Sequence, residues 1–163
     1  MLKFSALTCS LLLAGLAQAG TLEFSSADVD GFSDAGRGRI EREAHVKELA
    51  GYLQRLAEQR LPADQALKVE LLDVDLAGTL RPSARTGQEL RIVRGGADWP
   101  RLSLRYSLSR DGQVLRSGED ALADLNYSHR GVYGAPGEPL QPEKRLLGDW
   151  FDSRFGSRHA EAR

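Results

Sequence analysis

The dipeptide Asp111-Gly112, set between two alternating segments, constrains the fold more than any other feature of the sequence. Both residue types accept the positive φ angles that a two-residue hairpin turn requires. The sequence therefore predicts two antiparallel strands joined at this turn. The flanking residues alternate between apolar and polar, which is typical of a sheet with one face against a core and the other in water.

The turn also predicts a register, and that register gives Glu119 an unusual position. Counted outward from the turn, the predicted pairs are Leu108–Leu115, Tyr106–Ser117, Leu104–Glu119 and Leu102–Ala121. Glu119 then lies on the apolar face and Asp120 on the polar face. An ionised carboxylate is unfavourable on an apolar face unless it is neutralised. Three explanations stay open for Glu119: an internal ion pair, a β-bulge that turns it outward, or a position along a cleft.

Two helices are predicted on either side of the strands. The first begins near Ile40 and ends before Pro62, because apolar residues recur there at three- and four-residue spacing and the residue before a proline avoids the helical region. The second covers roughly 143–155 and carries an aromatic stripe. Its apolar residues are Leu146, Leu147, Trp150, Phe151 and Phe155.

Further strands are predicted at 21–25, 67–76 and 89–94. The strand at 67–76 has apolar residues on both of its predicted faces, which favours a central position in the sheet. The order strand, helix, consecutive strands, helix predicts an α+β fold, with an antiparallel sheet of about four to five strands and two helices packed on one face. The length of 163 residues suits one domain, predicted over 20–163 with a polar tail from about 157.

The first nineteen residues have the pattern of a secretory signal peptide. Lys3 precedes an apolar run at 6–17, and Ala17-Gln18-Ala19 provides the small residues of a cleavage site. The run is shorter than the ~20 apolar residues that cross a bilayer. Cys9 is the one cysteine and lies inside this run, so disulfides and thiol catalysis are excluded after cleavage. We expect export, either to the periplasm of a Gram-negative bacterium or to the medium.

Charge and motifs exclude several classes of function. The 22 basic and 23 acidic residues give a net charge of -1, without the basic excess that nucleic-acid binding requires. His45, His129 and His159 do not have the spacing of a zinc site. No phosphate-binding loop or nucleophile elbow follows a predicted strand. We therefore predict no catalytic residue, no metal ligand set and no cofactor.

Asp73 and Asp75 form the clearest pair of carboxylates, two residues apart near the end of a strand. Such a pair would contribute to a site for Mg²⁺ or Ca²⁺, or to acid–base chemistry. Two carboxylates do not complete a cation site, so neutralisation by neighbouring arginines is favoured. Lys144 or Arg145, at the start of the last helix, is predicted to reach this acidic strand end.

The segment Asp98-Trp99-Pro100-Arg101 opens the hairpin. The large area that a tryptophan buries favours packing of Trp99 in the core, and the alternative is a surface recognition patch. The candidate binding surface is predicted at this end of the sheet, together with the loop that carries Tyr133. Its residues are Asp73, Asp75, Asp98, Trp99, Arg101 and Tyr127.

Several segments together resemble a known family. They are Phe32-Ser33-Asp34-Ala35-Gly36, Glu41-Arg42-Glu43, Leu72-Asp73-Val74-Asp75-Leu76-Ala77-Gly78, Arg91-Ile92-Val93-Arg94, Asp98-Trp99-Pro100-Arg101, Asp124-Leu125-Asn126-Tyr127, Glu143-Lys144-Arg145-Leu146-Leu147 and Trp150-Phe151. The chain is similar, from about Leu22 to Phe155, to exported bacterial proteins classed as domain of unknown function 3016. The resemblance implies a setting in the bacterial envelope and implies no activity.

The leading hypothesis is a non-enzymatic periplasmic binding domain, or an accessory to envelope assembly, with a protein of the envelope as its partner. The alternative is a hydrolase or divalent-metal-binding protein that uses Asp73 and Asp75. A third hypothesis is a purely structural role, in which acidic and basic motifs hold the strand ends to the last helix.

Overall fold

The computed structural model describes residues 20–93, 97–130 and 137–156. The signal peptide predicted at 1–19, Tyr133 and the tail predicted from 157 lie outside these ranges. The secondary structure runs, in chain order, through β1 (Thr21–Ser26), α1 (Arg39–Arg60), β2 (Gln65–Asp75), β3 (Thr79–Pro82), β4 (Glu89–Ile92), β5 (Arg101–Arg110), β6 (Gln113–Ala123) and α2 (Gln141–Phe155). Single turns of 3-10 helix cover Val29–Gly31 and Tyr127–His129.

The main sheet has four strands in the order β1-β2-β5-β6, and β3 and β4 form a separate two-stranded ribbon. β1 is parallel to β2, because α1 carries the chain back across the sheet between them. β2, β5 and β6 pair antiparallel. The predicted α+β class with a mostly antiparallel sheet is confirmed, and the central position of β2 is correct.

Both helices pack on the same face of the main sheet, here called the helix face. Their buried side chains share one hydrophobic core with alternate residues of β2 and β5. The opposite face, here called the open face, carries ion pairs such as Lys68–Glu23 at 2.7 Å and Arg105–Glu119 at 2.6 Å. Among the described residues, no helix is both long enough and apolar enough to span a membrane.

A β-bulge at Leu72 changes how β2 presents its side chains. The register against β5 shifts between Leu71 and Asp73, so Leu71 and Val74 both lie on the helix face and are buried. The predicted assignment of apolar residues to two faces of this strand was therefore wrong. The bulge places Asp73 and Asp75 together on the side away from the core.

The turn of the hairpin is confirmed, with φ angles of 49° at Asp111 and 79° at Gly112. The predicted register is wrong, because a bulge next to the turn adds Leu115 to β6 and pairs Leu108 with Arg116. The same shift turns Glu119 to the open face and Asp120 to the helix face. Of the three explanations considered for Glu119, the outward-turning bulge is the correct one.

Candidate functional site

A cleft of about 430 Å³ opens where β2 ends, β5 begins and the β3–β4 ribbon folds over the sheet. It brings together four of the six residues of the predicted binding surface, Asp75, Asp98, Trp99 and Arg101. The remaining lining residues are Asp34, Leu76, Gly78, Thr79, Arg81, Ile92 and Ala97. The cleft is polar along most of its wall and open on one side.

The loop before α1 forms one wall of the cleft by extending the sheet. The amide of Asp34 donates to the carbonyl of Val74 at 2.9 Å, and the amide of Leu76 donates to the carbonyl of Asp34 at 2.9 Å. These bonds make a short parallel bridge between Asp34 and Asp75. Two carboxylates from distant parts of the chain therefore lie side by side at the end of β2.

The floor of the cleft depends on Gly78. Its φ angle of 87° favours glycine, and a Cβ atom there would lie 2.7 Å from the carbonyl oxygen of Ile92. The missing side chain lets the end of β4 lie directly against Gly78 where the ribbon begins. The amide of Gly78 also donates to the carbonyl of Asp98 at 2.9 Å, which fixes the floor to the opposite wall.

Each carboxylate in the cleft has a donor within 2.7 Å. Arg91 Nη2 contacts Asp34 Oδ1, and Arg101 Nη1 contacts Asp75 Oδ2. The buried Tyr127 hydroxyl donates to Asp98 Oδ1. Tyr127 therefore supports the wall from behind and does not line the cleft itself.

Trp99 stands on the wall under the side chain of Arg101. The guanidinium carbon of Arg101 lies 4.6 Å from the centre of the Trp99 ring, within the range of a cation–π contact. Trp99 is half-buried and is not one of the core residues. The favoured prediction that it packs in the core was wrong, because its ring contacts Arg101 at the cleft and not the helix face of the sheet.

Asp73 lies beside the cleft but outside its lining. Ser33 holds both of its oxygens, through the backbone amide and the hydroxyl, at 2.7 Å each. Asp73 and Asp75 thus have different partners and share no contact that would define a cation site. Within residues 20–93, 97–130 and 137–156, no group of three or more His, Cys, Asp or Glu side chains is placed to hold a metal ion.

The start of α2 lies behind the cleft floor and is unusually rich in buried charge. Glu143 Oε1 accepts the amide of Ala77 at 2.7 Å, and burial raises the pKa of Glu143. Lys144 is 1% exposed and pairs with Glu48 at 2.6 Å and Glu138 at 2.7 Å. The prediction that Lys144 or Arg145 reaches the acidic end of β2 is wrong for Lys144, because its ammonium pairs with the two glutamates.

Sequence reasoning missed three residues of this region, Asp34, Arg81 and Arg91. Asp34 is in a loop far from β2 in sequence, and no spacing rule connects it with Asp75. Arg91 and Arg81 come from the two strands of the ribbon, and β3 was not predicted. Arg81 is exposed, and no ion pair is found for it in the described part of the chain.

The comparison with known proteins identifies a family that matches most of the chain and not only the cleft. No curated protein and no solved structure matches the chain. The family described as "Protein of unknown function (DUF3016)" matches residues 20–153, a range that covers β1 to β6, the cleft and nearly all of α2. The chain therefore belongs to the DUF3016 family, as the resemblance of its segments implied.

Proposed function

We propose that the protein is an exported binding domain without catalytic activity, which holds a partner of the bacterial envelope in the cleft beside Trp99. The observation that carries the proposal is the stacked Trp99–Arg101 pair on the wall of a 430 Å³ cleft. Tryptophan and arginine are the residue types most enriched where binding energy is concentrated. Trp99 is held at the surface by contacts that leave part of its ring accessible.

The carboxylates of the cleft support binding over catalysis. A general acid or base exchanges its proton with the substrate, so it needs a free position within hydrogen-bond reach. Asp34 Oδ1 and Asp75 Oδ2 each accept from an arginine at 2.7 Å, so these oxygens are already engaged within the protein. Both carboxylates therefore belong to ion pairs that form part of the cleft wall.

The charges of the cleft also suggest the chemistry of the partner. Arg101 is matched by Asp75, whereas Arg81 lines the cleft with no ion-pair partner among the described residues. A carboxylate of the partner would complement Arg81, and an apolar or aromatic group would cover the exposed part of Trp99. We therefore expect an acidic polypeptide segment with a neighbouring apolar side chain.

Export rests on the pattern of residues 1–19 and is tested separately from binding. The full-length chain is expressed in a Gram-negative host, and the protein recovered from the periplasmic fraction is weighed by mass spectrometry. The expected mature chain begins at Gly20. A protein that stays in the cytoplasm with its first nineteen residues would contradict this part of the proposal.

A photo-crosslinking experiment tests the cleft. A benzophenone amino acid replaces Thr79, which is exposed and lines the cleft, and in a matched control it replaces Ser25, which is exposed on the open face. With envelope extract, the Thr79 probe is expected to give a discrete adduct that the Ser25 probe does not give. Trp99→Ala is expected to abolish the adduct while the circular dichroism spectrum and cooperative unfolding are retained.

Two results would contradict the proposal. Equal adducts from Thr79 and Ser25, unaffected by Trp99→Ala, would show that the cleft is not the binding surface. Hydrolysis of a nitrophenyl ester by the wild type, lost in Asp75→Asn, would favour the enzyme alternative.

A further inference from the structure

Strand β6 is the outer strand of the main sheet on the side away from β1. Its eleven residues, Gln113–Ala123, pair with β5 on one side, and no strand in the described part of the chain pairs with the other side. A free strand edge of this kind is a template for a further strand. This edge is separate from the cleft, so an inference about it does not depend on the proposed function.

The sequence of β6 has a two-fold character about Gly118. In an antiparallel pairing of two copies centred on that residue, Arg116 of each copy faces Asp120 of the other, and Ser117 faces Glu119. Opposite charges on directly opposed residues stabilise a sheet, and like charges destabilise it. Centring on Gly118 therefore pairs both charged positions of the helix face favourably.

Neighbouring registers lose this complementarity. Centring on Glu119 or on Asp120 would oppose two identical carboxylates at the two-fold axis. Centring on Ser117 would separate Arg116 from Asp120. A slip by one residue would oppose side chains from different faces of the sheet, which the pleat does not allow. The charges thus select one register.

The two ends of β6 differ in the surface that they leave open beside the paired segment. Val114 and Leu115 are 63% and 49% exposed, near the turn end of the strand. At the other end, a groove of about 360 Å³ runs between residues 120–123 and α2, with Leu146 and Trp150 on its helix side. The bulge at Leu115 turns Val114 to the open face, so the regular pairing begins at Arg116, and Arg116 of one copy lies at the Asp120 end of this groove of the other.

The charged side chains of the edge are already held in position. Asp120 accepts from Trp150 Nε1 at 2.8 Å and from Arg154 at 2.5 Å, and Arg116 donates to the carbonyl of Arg154. Both side chains are therefore held in fixed positions on the helix face of β6. Such preorganisation lowers the entropic cost of association.

From these observations the geometry points to a second copy of this chain as the occupant of the β6 edge. Two copies pair antiparallel through β6 about Gly118, and the four-stranded sheet of each becomes half of one continuous sheet. The paired segment runs from Arg116 to Asp120 of each copy, beside the groove next to α2.

Sedimentation equilibrium over a range of concentrations tests this inference. The wild type is expected to show a monomer–dimer equilibrium. Ser117→Glu opposes two glutamates across the axis, and the double variant Ser117→Lys/Glu119→Lys opposes two lysines, so each alone should dissociate at least ~10-fold more readily. An equal mixture of the two variants opposes glutamate to lysine at every position and should restore a one-to-one dimer.

The control is Ser25→Glu, the same substitution at an exposed serine of the other edge strand, β1. It should leave the dimer unchanged, and circular dichroism should show that all variants are folded. The inference is overturned if the wild type stays monomeric at the highest soluble concentration. It is also overturned if the dimer persists in both β6 variants, if mixing them restores nothing, or if Ser25→Glu dissociates it equally.

Discussion

The two tryptophans of this chain occupy contrasting surroundings. Trp150 is 4% exposed, and its ring centroid lies 5.8 Å from that of Tyr106 and 5.3 Å from that of Phe155, both in edge-to-face contact. Its indole N–H donates to a carboxylate on the helix face of the sheet. Trp99 is half-buried, and its face is covered by the guanidinium of Arg101. One ring is enclosed by other rings, and the other lies between a cation and water. Tryptophan therefore fills the core in one region, and in the other it offers an accessible aromatic surface.

The charged residues follow the same division. In the α2 region, here residues 141–155, Glu143 and Lys144 are almost fully buried and hold α2 to the segment after β2 and to α1. In the cleft, Asp75 and Arg101 form one pair, and their side chains are 28% and 48% exposed. Buried charges without partners destabilise a protein strongly, whereas exposed pairs contribute little. Substitutions in the α2 region should therefore change stability, and those in the cleft should change binding.

Trp150→Ala should have the largest effect. Removing a buried aromatic side chain from a core lowers the free energy of unfolding by about 3–5 kcal/mol. Urea denaturation followed by circular dichroism measures the change. Trp99→Ala is the matched comparison and should lower it by only about 1 kcal/mol, the scale of an exposed cation–π contact. Equal losses would mean that Trp99 is a packing residue after all.

Lys144→Ala should have the next largest effect. It removes a buried side chain and leaves two partly exposed glutamates without their shared cation, so the free energy of unfolding should fall by about 2 kcal/mol. The control is Lys47→Ala on the exposed side of α1, where about 0.5 kcal/mol or less is expected. A similar small loss for Lys144→Ala would show that its two ion pairs contribute nothing.

Glu143→Gln tests the buried carboxylate through pH. Burial raises the pKa of Glu143 above its ordinary value of 4.5, so the native state binds this proton more strongly than the unfolded state. Its contribution to stability is present below 4.5 and is lost as the pH rises through the raised pKa of the folded state. Glutamine still accepts the Ala77 amide and does not titrate, so the variant should lack this decline.

Glu41 provides a control of opposite sign for that experiment. Hydrogen bonds from Arg37 lower the pKa of Glu41, so its contribution is present above the ordinary value and is lost in acid. Glu41→Gln should therefore reduce stability at neutral pH and leave the decline due to Glu143 in place. An unchanged pH profile in Glu143→Gln would mean that this carboxylate does not control the decline.

Asp75→Asn should have the smallest effect on folding. The lost pair with Arg101 is partly exposed and contributes about 1 kcal/mol or less. A cation bound to the native state would raise its melting temperature. Since we expect no such site, millimolar Ca²⁺ or Mg²⁺ should leave the melting temperature of the wild type unchanged. A rise in melting temperature that Asp75→Asn removes would favour the metal alternative and remove the contrast between the two regions.

The local signals in the sequence predicted the elements well. The helices at 39–60 and 141–155 and the turn at 111–112 follow from spacing, a proline and a positive-φ dipeptide. Faces of strands were predicted less well, because alternation holds only between bulges. The extra residues Leu72 and Leu115 reverse the faces of the residues beyond them. The buried residues Leu71 and Val74 are three positions apart instead of two, and this spacing is the sign of the first bulge in the sequence.

The cleft was predicted in part because several of its residues are close neighbours in sequence. Trp99 and Arg101 are two apart at the start of a strand, which places them on one side of it. Asp34 and the ribbon residues join them through tertiary contacts alone. The buried Glu143 and Lys144 look like the solvated first turn of any helix, since their partners come from α1 and from residues 77 and 138.

The hydrogen bond from Ala77 to Glu143 has a consequence for the order of assembly during translation. The strand that ends beside Ala77 is made early, yet the acceptor for that amide belongs to the final helix, sixty-six residues later. The nascent chain can form its hairpin and first helix while the floor beneath the ribbon is still unsupported. A ribosome that stops before residue 143 therefore releases a chain with an exposed core, which quality-control proteases should recognise.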